Sequence, residues 1–264
     1  MVNIKELTEK ELTEIISERG FSRRLTVKDY YITILLYLMK DIKGIYFKGG
    51  TALQLTILNH ARISEDIDFT LNKPLKQVRK EIENAIDKSE IFGTISQDKD
   101  VDKFVRLIVP YKSILGNDQI FIDLNEKEEL LLKTEYLEMK HFYPNIPIFS
   151  FPCLNRKEMV AEKIAAAISR NKPRDHYDIY KLIKHKSTFD MDLVRKKCEQ
   201  SGEDPSILKM FNRAKKLYKR WNEDMIPLLV EEVSFQEVMK TLAEHFNLKD
   251  EKETSKQEQQ PSTY

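Results

Sequence analysis

The stretch Tyr46-Phe-Lys-Gly-Gly-Thr-Ala-Leu53, followed by an apolar run to His60 and then by Arg62-Ile-Ser-Glu-Asp-Ile-Asp-Phe-Thr-Leu71, decides the fold. Its pattern predicts a strand, a glycine turn, a helix and a second strand. In that second strand Asp66 and Asp68 point to one face, because side chains alternate between the two faces of a sheet. The sequence therefore predicts two carboxylates side by side on one surface.

Two neighbouring carboxylates repel each other, and a divalent cation such as Mg²⁺ between them removes that cost. The glycine pair fits the same chemistry, since Gly49 and Gly50 let the backbone approach an anion and Thr51 opens the following helix. Taken alone, a Gly-Gly pair is typical of an ordinary turn, and an Asp-x-Asp pair is typical of a solvated strand edge. Their order and spacing together favour phosphate and metal binding.

The segment Lys48-Gly49-Gly50-Thr51-Ala52-Leu53, with Arg62-x-Ser64-x-Asp66-Ile67-Asp68-Phe69 after it, resembles the signature of the AbiEii/AbiGii toxin family of nucleotidyltransferases. This family lies within the DNA polymerase β-like superfamily. The resemblance implies a toxin of a type IV toxin–antitoxin or abortive-infection system that uses a nucleoside triphosphate (NTP). It also implies a cognate antitoxin encoded nearby that acts without forming a stable complex, and some relatives add nucleotides to the 3′ end of tRNA.

Composition sets the broad class of the protein. The chain has 264 residues, 41% of them hydrophobic and 33% charged, which is enough for one large or two modest cores. No apolar run is long enough to cross a bilayer, and the N-terminal residues lack a signal peptide's apolar core, so we expect a cytoplasmic protein. The 44 basic and 43 acidic residues nearly cancel, which excludes nucleic-acid binding through bulk charge. Cys153 and Cys198 indicate neither a disulfide framework nor a zinc site.

The pattern along the chain predicts an α/β (α+β) architecture, in which an α/β domain precedes an all-helical domain; the resemblance implies that the first is a polymerase β-like catalytic domain with a small mixed sheet. We place these at 1–150 and 151–247, with a disordered tail at 248–264. Helices are predicted at 3–19, from a Thr26/Asp29 capping box to about 43, at 75–89, 158–170, 175–186, 192–200, 206–223, 225–233 and 235–246, and strands at 91–97, 103–109 and 119–125. The last two strands form a hairpin around Gly116-Asn117-Asp118, and no strand pattern recurs beyond 144–152.

A third acid lies in the second strand of that hairpin. Asp123 is flanked by Ile122 and Leu124, and a charge in an apolar strand usually has a partner. An acid that ends a strand is the alternative interpretation. In the superfamily a carboxylate at this position completes the metal cluster, so the resemblance implies that Asp123 joins Asp66 and Asp68.

A second group of charged residues opens the helical half. Lys163 shares its helix face with small and apolar residues, so its amine either extends to the surface or reaches a phosphate. Asp175 falls in the first turn of the next helix, where the helix dipole favours a carboxylate without any functional cause. The family shows a lysine and an Arg/Lys-x-Arg-Asp-x-x-Asp element here, so the resemblance implies that Lys163, Arg174, Asp175 and Asp178 belong to the site.

The resulting hypothesis is a two-metal nucleotidyltransferase. The metal ligands are Asp66, Asp68 and Asp123, which hold Mg²⁺, with Mn²⁺ as the alternative ion. The catalytic residues are these three together with Lys163, Asp175 and Asp178. The nucleotide-binding residues are Lys48, Gly49, Gly50, Thr51, Arg62, Ser64, Lys163 and Arg174. The basic stretches 156–186 and 195–220 favour a tRNA acceptor. Two alternatives stay open: transfer to a small molecule or a protein hydroxyl, and a non-catalytic protein that binds RNA or an antitoxin.

Overall fold

The computed structural model describes residues 4–126, 129–170 and 172–248. They divide into two compact units: the first runs to Met159 and includes Leu228–Val230, and the second holds Val160–Pro227 and the described residues from Glu231 onward. The domain limits 1–150 and 151–247 stay a prediction. The predicted disordered tail lies outside the described residues, apart from Leu248.

The first unit is built around one mixed sheet. Its helices are α1 (Glu9–Arg19), α2 (Arg23–Met39), α3 (Gly49–Leu53) and α4 (Leu75–Asp87), and its strands are β1 (Ile45–Lys48), β2 (Asp66–Leu71), β3 (Ser96–Val101), β4 (Phe104–Ser113), β5 (Gly116–Asn125), β6 (Glu135–Glu138) and β7 (Ser150–Cys153). Helix α3 continues directly into one π-helical turn, Gln54–Leu58. Within the described residues the seven strands run in the order β3-β4-β5-β2-β1-β7-β6. The predicted mixed α/β class is therefore confirmed.

Strand β2 lies inside this sheet, antiparallel to β1 and parallel to β5. Ile67 and Phe69 are fully buried, whereas Asp66 and Asp68 alternate with them and are only partly buried. The Phe69 ring stacks on Phe151 of β7 with centroids 5.6 Å apart. Burying each such apolar side chain stabilises the fold by roughly 1.5–3 kcal/mol. The buried face thus fixes β2 so that its two acids share the opposite, half-exposed face.

The sequence did not indicate β6 and β7. Both strands have only four residues, too few for an alternating pattern, and β7 contains Pro152. They are held by pairing rather than by local propensity, because β7 pairs with β6 and, at Cys153, with Phe47 of β1. The predicted strand 91–97 is also displaced, since β3 is the fully exposed segment Ser96–Val101.

The predicted Thr26/Asp29 capping box is wrong. The Ser22 hydroxyl caps α2 instead, accepting a hydrogen bond from the Leu25 amide at 3.4 Å. Asp29 therefore lies in the body of the helix, where it is buried and accepts a hydrogen bond from the Tyr143 hydroxyl at 2.8 Å. A carboxylate tied to a tyrosine more than a hundred residues away has no local sequence signal.

The second unit is helical. Helix α5 (Arg156–Arg170) enters it from the first unit, and α6 (Pro173–Lys184), α7 (Met191–Gln200), α8 (Ala214–Met225) and α9 (Phe235–His245) follow, with 3-10 turns at Ile207–Met210 and Ile226–Leu228. The predicted helix 225–233 is wrong, because Pro227 interrupts it and only one 3-10 turn forms. The buried Trp221 indole donates to the Val233 carbonyl at 3.0 Å. None of the described helices is both long and apolar enough to cross a bilayer.

Candidate active site

The glycine turn, residues 49–51 at the start of α3, begins with a glycine that no other residue can replace without strain. Gly49 has φ +78°, a left-handed conformation that costs other residues roughly 1–2 kcal/mol. A Cβ atom at this position would lie 2.2 Å from Oδ2 of Asp68. The absent side chain thus lets the backbone of the turn pack directly against the Asp68 carboxylate.

Gly50 lies against a different pair of side chains. A Cβ atom there would be 3.0 Å from the Arg62 guanidinium and 3.0 Å from the Ser64 hydroxyl. Arg62 is only 2% exposed and donates to the Ile63 carbonyl at 2.9 Å, and Ser64 is also buried. The two residues predicted to contact a triphosphate therefore lie behind the glycine turn, and a direct contact with nucleotide stays a prediction.

Thr51 fastens the same turn to β2. Its hydroxyl donates a hydrogen bond to the backbone carbonyl of Asp66, and its side chain is buried. The Gln54 side-chain oxygen, one turn further along, accepts from the Arg62 amide at 3.2 Å. These bonds fix the position of the turn relative to β2. Because the Thr51 hydroxyl is already bonded, only the backbone groups of residues 49–51 are left to bind an anion.

Four charged residues form one row across four neighbouring strands. Lys48 of β1 is in register with Asp68, Asp68 with Asp123 of β5, and Asp123 with Arg106 of β4. Partners in register point to the same face of a sheet. Asp66 lies one row away on that face, in register with Phe121. The three predicted metal ligands are therefore brought to one face, with a cation at each end of the row.

Sequence reasoning missed Arg106, which binds the third carboxylate. Its Nε and Nη2 atoms donate to Oδ1 and Oδ2 of Asp123, both at 2.7 Å. The hydrogen bonds to Asp123 raise the pKa of Arg106 despite its partial burial, and the charge of Asp66 raises it further. Arg106 stays charged, and both oxygens of Asp123 accept from it.

The residues fit a hard divalent cation in type. Three carboxylates on one face supply the oxygen donors that Mg²⁺ prefers. In the described part of the chain, however, no cluster of three or more His, Cys, Asp or Glu side chains is arranged to hold a metal ion. Arg106 engages both oxygens of Asp123. A metal bound to all three carboxylates would therefore compete with Arg106 for Asp123.

The second unit contains a buried ion cluster made from the other predicted site residues. The Lys163 amine lies 3.1 Å from Asp175 Oδ1 and 3.0 Å from Asp178 Oδ2, and all three side chains are at most 5% exposed. Arg170, which the sequence analysis did not assign to the site, donates to both oxygens of Asp175 at 2.8 Å. Arg174 is half-buried in the first turn of α6.

This cluster settles how Lys163 and Asp175 share their charges. Burial alone would raise the pKa of Asp175, but the Lys163 ammonium and then Arg170 outweigh it and hold that pKa well below its usual range. Removing one partner from a buried pair leaves an uncompensated charge and typically costs 3–5 kcal/mol. Lys163 therefore stabilises the second unit, whatever further part it plays.

Comparison with known proteins shows what this chain is similar to. A sequence model of the family described as "Nucleotidyl transferase AbiEii toxin, Type IV TA system" matches residues 37–247. The solved structure of JHP933 from Helicobacter pylori is similar, with 20% identity, a TM-score of 0.61 and coverage of 91% of this chain and 100% of the other. The nucleotidyltransferase toxin MenT4 from Mycobacterium tuberculosis has 22% identity, a TM-score of 0.60 and coverage of 90% and 98%. At such identities these structures show a shared fold. No protein with a curated description matches the chain.

Proposed function

Because the chain belongs to the AbiEii family of nucleotidyltransferase toxins from type IV toxin–antitoxin systems, we propose that it transfers a nucleoside monophosphate from an NTP to the 3′ hydroxyl of a tRNA. The hydroxyl oxygen bonds to the α-phosphorus, the bond from that phosphorus to the leaving oxygen breaks, and pyrophosphate departs while the hydroxyl loses its proton. The observation that carries the proposal is the register of Asp68 with Asp123, with Gly49 packed against Asp68.

The glycine turn would bind the triphosphate through backbone amides of Gly49, Gly50 and Thr51. This role suits a turn whose side chains are absent or already bonded elsewhere, as the Thr51 hydroxyl is. The buried guanidinium of Arg62, directly behind Gly50, would add positive potential to the turn. Preorganised charge of this kind is the main contribution that proteins make to phosphoryl transfer.

The carboxylate row would act on the reacting oxygens. Bound to Asp66, Asp68 and Asp123, Mg²⁺ would supply charge stabilisation for the attacking and leaving oxygens. Asp123 would also accept the proton of the attacking hydroxyl, in competition with its hydrogen bonds to Arg106. Asp66 and Asp68 would keep the ligand face negative, and Lys48 at the end of the row would offset part of that charge.

The residues of the second unit are proposed to be required for transfer, as the family resemblance implies. Lys163 is fixed between two carboxylates, so a variant must be checked for folding before its activity is read. Lys163→Arg retains a cation, whereas Lys163→Met removes it. If both variants fold and only the methionine variant is inactive, the charge of Lys163 is what the reaction needs.

Helix α8 supports the tRNA acceptor. Lys215, Lys216 and Lys219 are exposed on this helix, and the Tyr218 ring between them is 57% exposed. Lysines of this kind contact phosphates, and an exposed aromatic ring can stack on an unpaired base such as those at a tRNA 3′ end. The positive charge of α8 would thus attract RNA phosphates, which the nearly neutral chain as a whole does not.

The decisive experiment incubates the purified chain with each α-labelled NTP, Mg²⁺ and, in parallel, deacylated tRNA, total RNA or a cell lysate. We expect label on tRNA, and we expect Asp68→Asn to lower transfer by roughly two to three orders of magnitude. Asp87→Asn, an exposed acid at the end of α4, is the matched control and should transfer normally.

Each other outcome rejects part of the proposal. Label on a protein or a small molecule would replace tRNA as the acceptor. Absence of label with every NTP would reject the transferase activity and favour a protein that only binds RNA or an antitoxin. The family also implies a cognate antitoxin; we propose that it acts without a stable complex, so the two proteins should not co-purify when expressed together.

A further inference from the structure

Arg106 is fixed in place by more than its bond to Asp123. Its guanidinium carbon lies 5.3 Å from the centre of the Phe121 ring, next to the bidentate bonds to the carboxylate. Phe121 and Asp123 lie two residues apart on β5, so both partners share one face of the sheet. The arginine side chain is 28% exposed and that of Asp123 is 14% exposed, which leaves Arg106 accessible from solvent.

The need for such an arginine follows from the register. Neighbouring strands lie about 5 Å apart. Two carboxylates at about that distance repel by roughly 3 kcal/mol at an effective dielectric constant of ~20. Asp68 and Asp123 are in register on such strands, and Asp66 adds a third negative charge on the same face. Arg106 offsets this repulsion when no cation is bound.

We infer that Arg106 is a positioning residue that competes with the divalent cation for Asp123. The third carboxylate binds the cation tightly only when the guanidinium releases it. The inference rests on the proposed function, because it assumes a cation at Asp66 and Asp68. Both oxygens of Asp123 are held in the bidentate pair, so each has one lone pair engaged by the guanidinium and only the other left for a metal.

The competition has two consequences for binding. The row of Lys48, Asp68, Asp123 and Arg106 stays balanced in charge without metal, and the intrinsic metal affinity is reduced by the free energy needed to release Asp123. A ligand that binds together with the cation, such as a triphosphate, supplies the remaining interactions. Arg106 thereby makes tight metal binding depend on the nucleotide.

The test measures Mn²⁺ binding to the full chain without nucleotide, from the electron paramagnetic resonance signal of unbound Mn²⁺. Arg106→Gln should tighten binding by about tenfold, the scale on which partners of a ligating carboxylate tune metal affinity. Arg106→Lys keeps a charge but loses the fork, so its affinity should fall between those of wild type and Arg106→Gln. Adding Asp123→Asn to Arg106→Gln should abolish the gain.

Arg79→Gln is the control, because Arg79 is a similarly exposed arginine bonded to a carboxylate, Glu83, on α4. It should leave Mn²⁺ affinity unchanged. A general loosening of the fold would not tighten metal binding, and circular dichroism verifies that each variant is folded. If Arg106→Gln does not fold, Arg106→Lys decides the question alone.

The outcomes separate this inference from the proposed function. Mn²⁺ binding that depends on Asp68 but is unchanged or weakened by removing Arg106 would overturn the inference and leave the metal assignment intact. If neither wild type nor any Arg106 variant binds Mn²⁺, the metal assignment is wrong and the inference is overturned with it. A gain of affinity that persists after Asp123→Asn would also overturn it, because the effect would not pass through that carboxylate.

Discussion

Gly49→Ala adds only one methyl group, but it should lower both the stability of the chain and its transfer activity. The structure gives the size of the loss of stability. The φ of +78° costs an alanine about 1 kcal/mol or more. The new Cβ would also lie 2.2 Å from Asp68 Oδ2 and 2.9 Å from its Cγ, so Asp68 must leave its rotamer. An off-rotamer side chain costs about 0.5–1.5 kcal/mol. The sum is roughly 2–3 kcal/mol, and transfer should fall as severely as in Asp68→Asn.

Urea unfolding of the full chain, followed by circular dichroism, measures the first number, and labelled-NTP transfer measures the second. Gly116→Ala is the control, because Gly116 also has positive φ, +100°, in the same unit but no atom within 4 Å of its added Cβ. It should show the backbone cost alone and keep its activity. Combining Gly49→Ala with Asp68→Ala should recover about 1 kcal/mol of the loss, since the two shortest contacts, with Oδ2 and Cγ of Asp68, are then removed. If Gly49→Ala were no worse than Gly116→Ala and fully active, Asp68 would not lie against the turn.

The remaining predictions concern the second unit. Lys163→Met should destabilise the chain by about 3–5 kcal/mol in thermal or urea unfolding, because it leaves two buried carboxylates without their ammonium; Lys240→Met, at an exposed lysine of α9, should change little. The pKa of Asp175 is lower in the folded chain than its unfolded value of about 4, so the stabilisation from this carboxylate is fully present above pH ~4 and is lost as the pH falls below it. The midpoint of unfolding should therefore drop below pH ~4, and it should drop less in Lys163→Met. The charge reversals Lys215→Glu and Lys216→Glu should weaken tRNA binding. They should also reduce the slope of log K against log salt concentration by about one to two, the loss of one to two phosphate contacts, whereas Lys240→Glu should change neither quantity. Slopes equal to that of wild type would mean that α8 merely faces solvent.

The sequence was most informative where a pattern is local. The strand, glycine turn, helix and strand from 45 to 71 follow from alternation and from the conformational freedom of glycine, and they appear as β1, α3 and β2. Helices with clear caps or periodicity also follow, as α4 and α9 do. What failed depends on distant partners. Strands β6 and β7 exist through pairing with each other and with β1, and the N-terminal boundary of α2 depends on Ser22 rather than on the more conspicuous Thr26 and Asp29.

The hairpin explains why Arg106 escaped detection. Gly116-Asn117-Asp118 has the composition of a turn, and a hairpin centred there would pair Asp123 with Tyr111. The structure turns instead at Ile114 and Leu115, where the Ser113 hydroxyl accepts from the Leu115 amide and donates to the Gly116 carbonyl. The register therefore shifts, and the partner of Asp123 is Arg106. A serine side chain that closes a turn of two apolar residues is a signal too weak to set the register from sequence.

This register changes how the acids themselves should be understood. A search for clustered carboxylates finds Asp66, Asp68 and Asp123 and predicts a strongly negative site that must hold metal to be stable. In the structure Asp68 and Asp123 instead lie in a row with Lys48 and Arg106 that sums to zero charge, and Asp66 adds one negative charge beside it. Such a row needs no cation to fold, so stability and metal binding are separable properties of the first unit. Removing the charge of Lys48 or Arg106 should therefore raise metal affinity while lowering stability, whereas removing an acid should lower metal affinity. These opposite changes in metal affinity distinguish a balanced charge row from a preformed metal site.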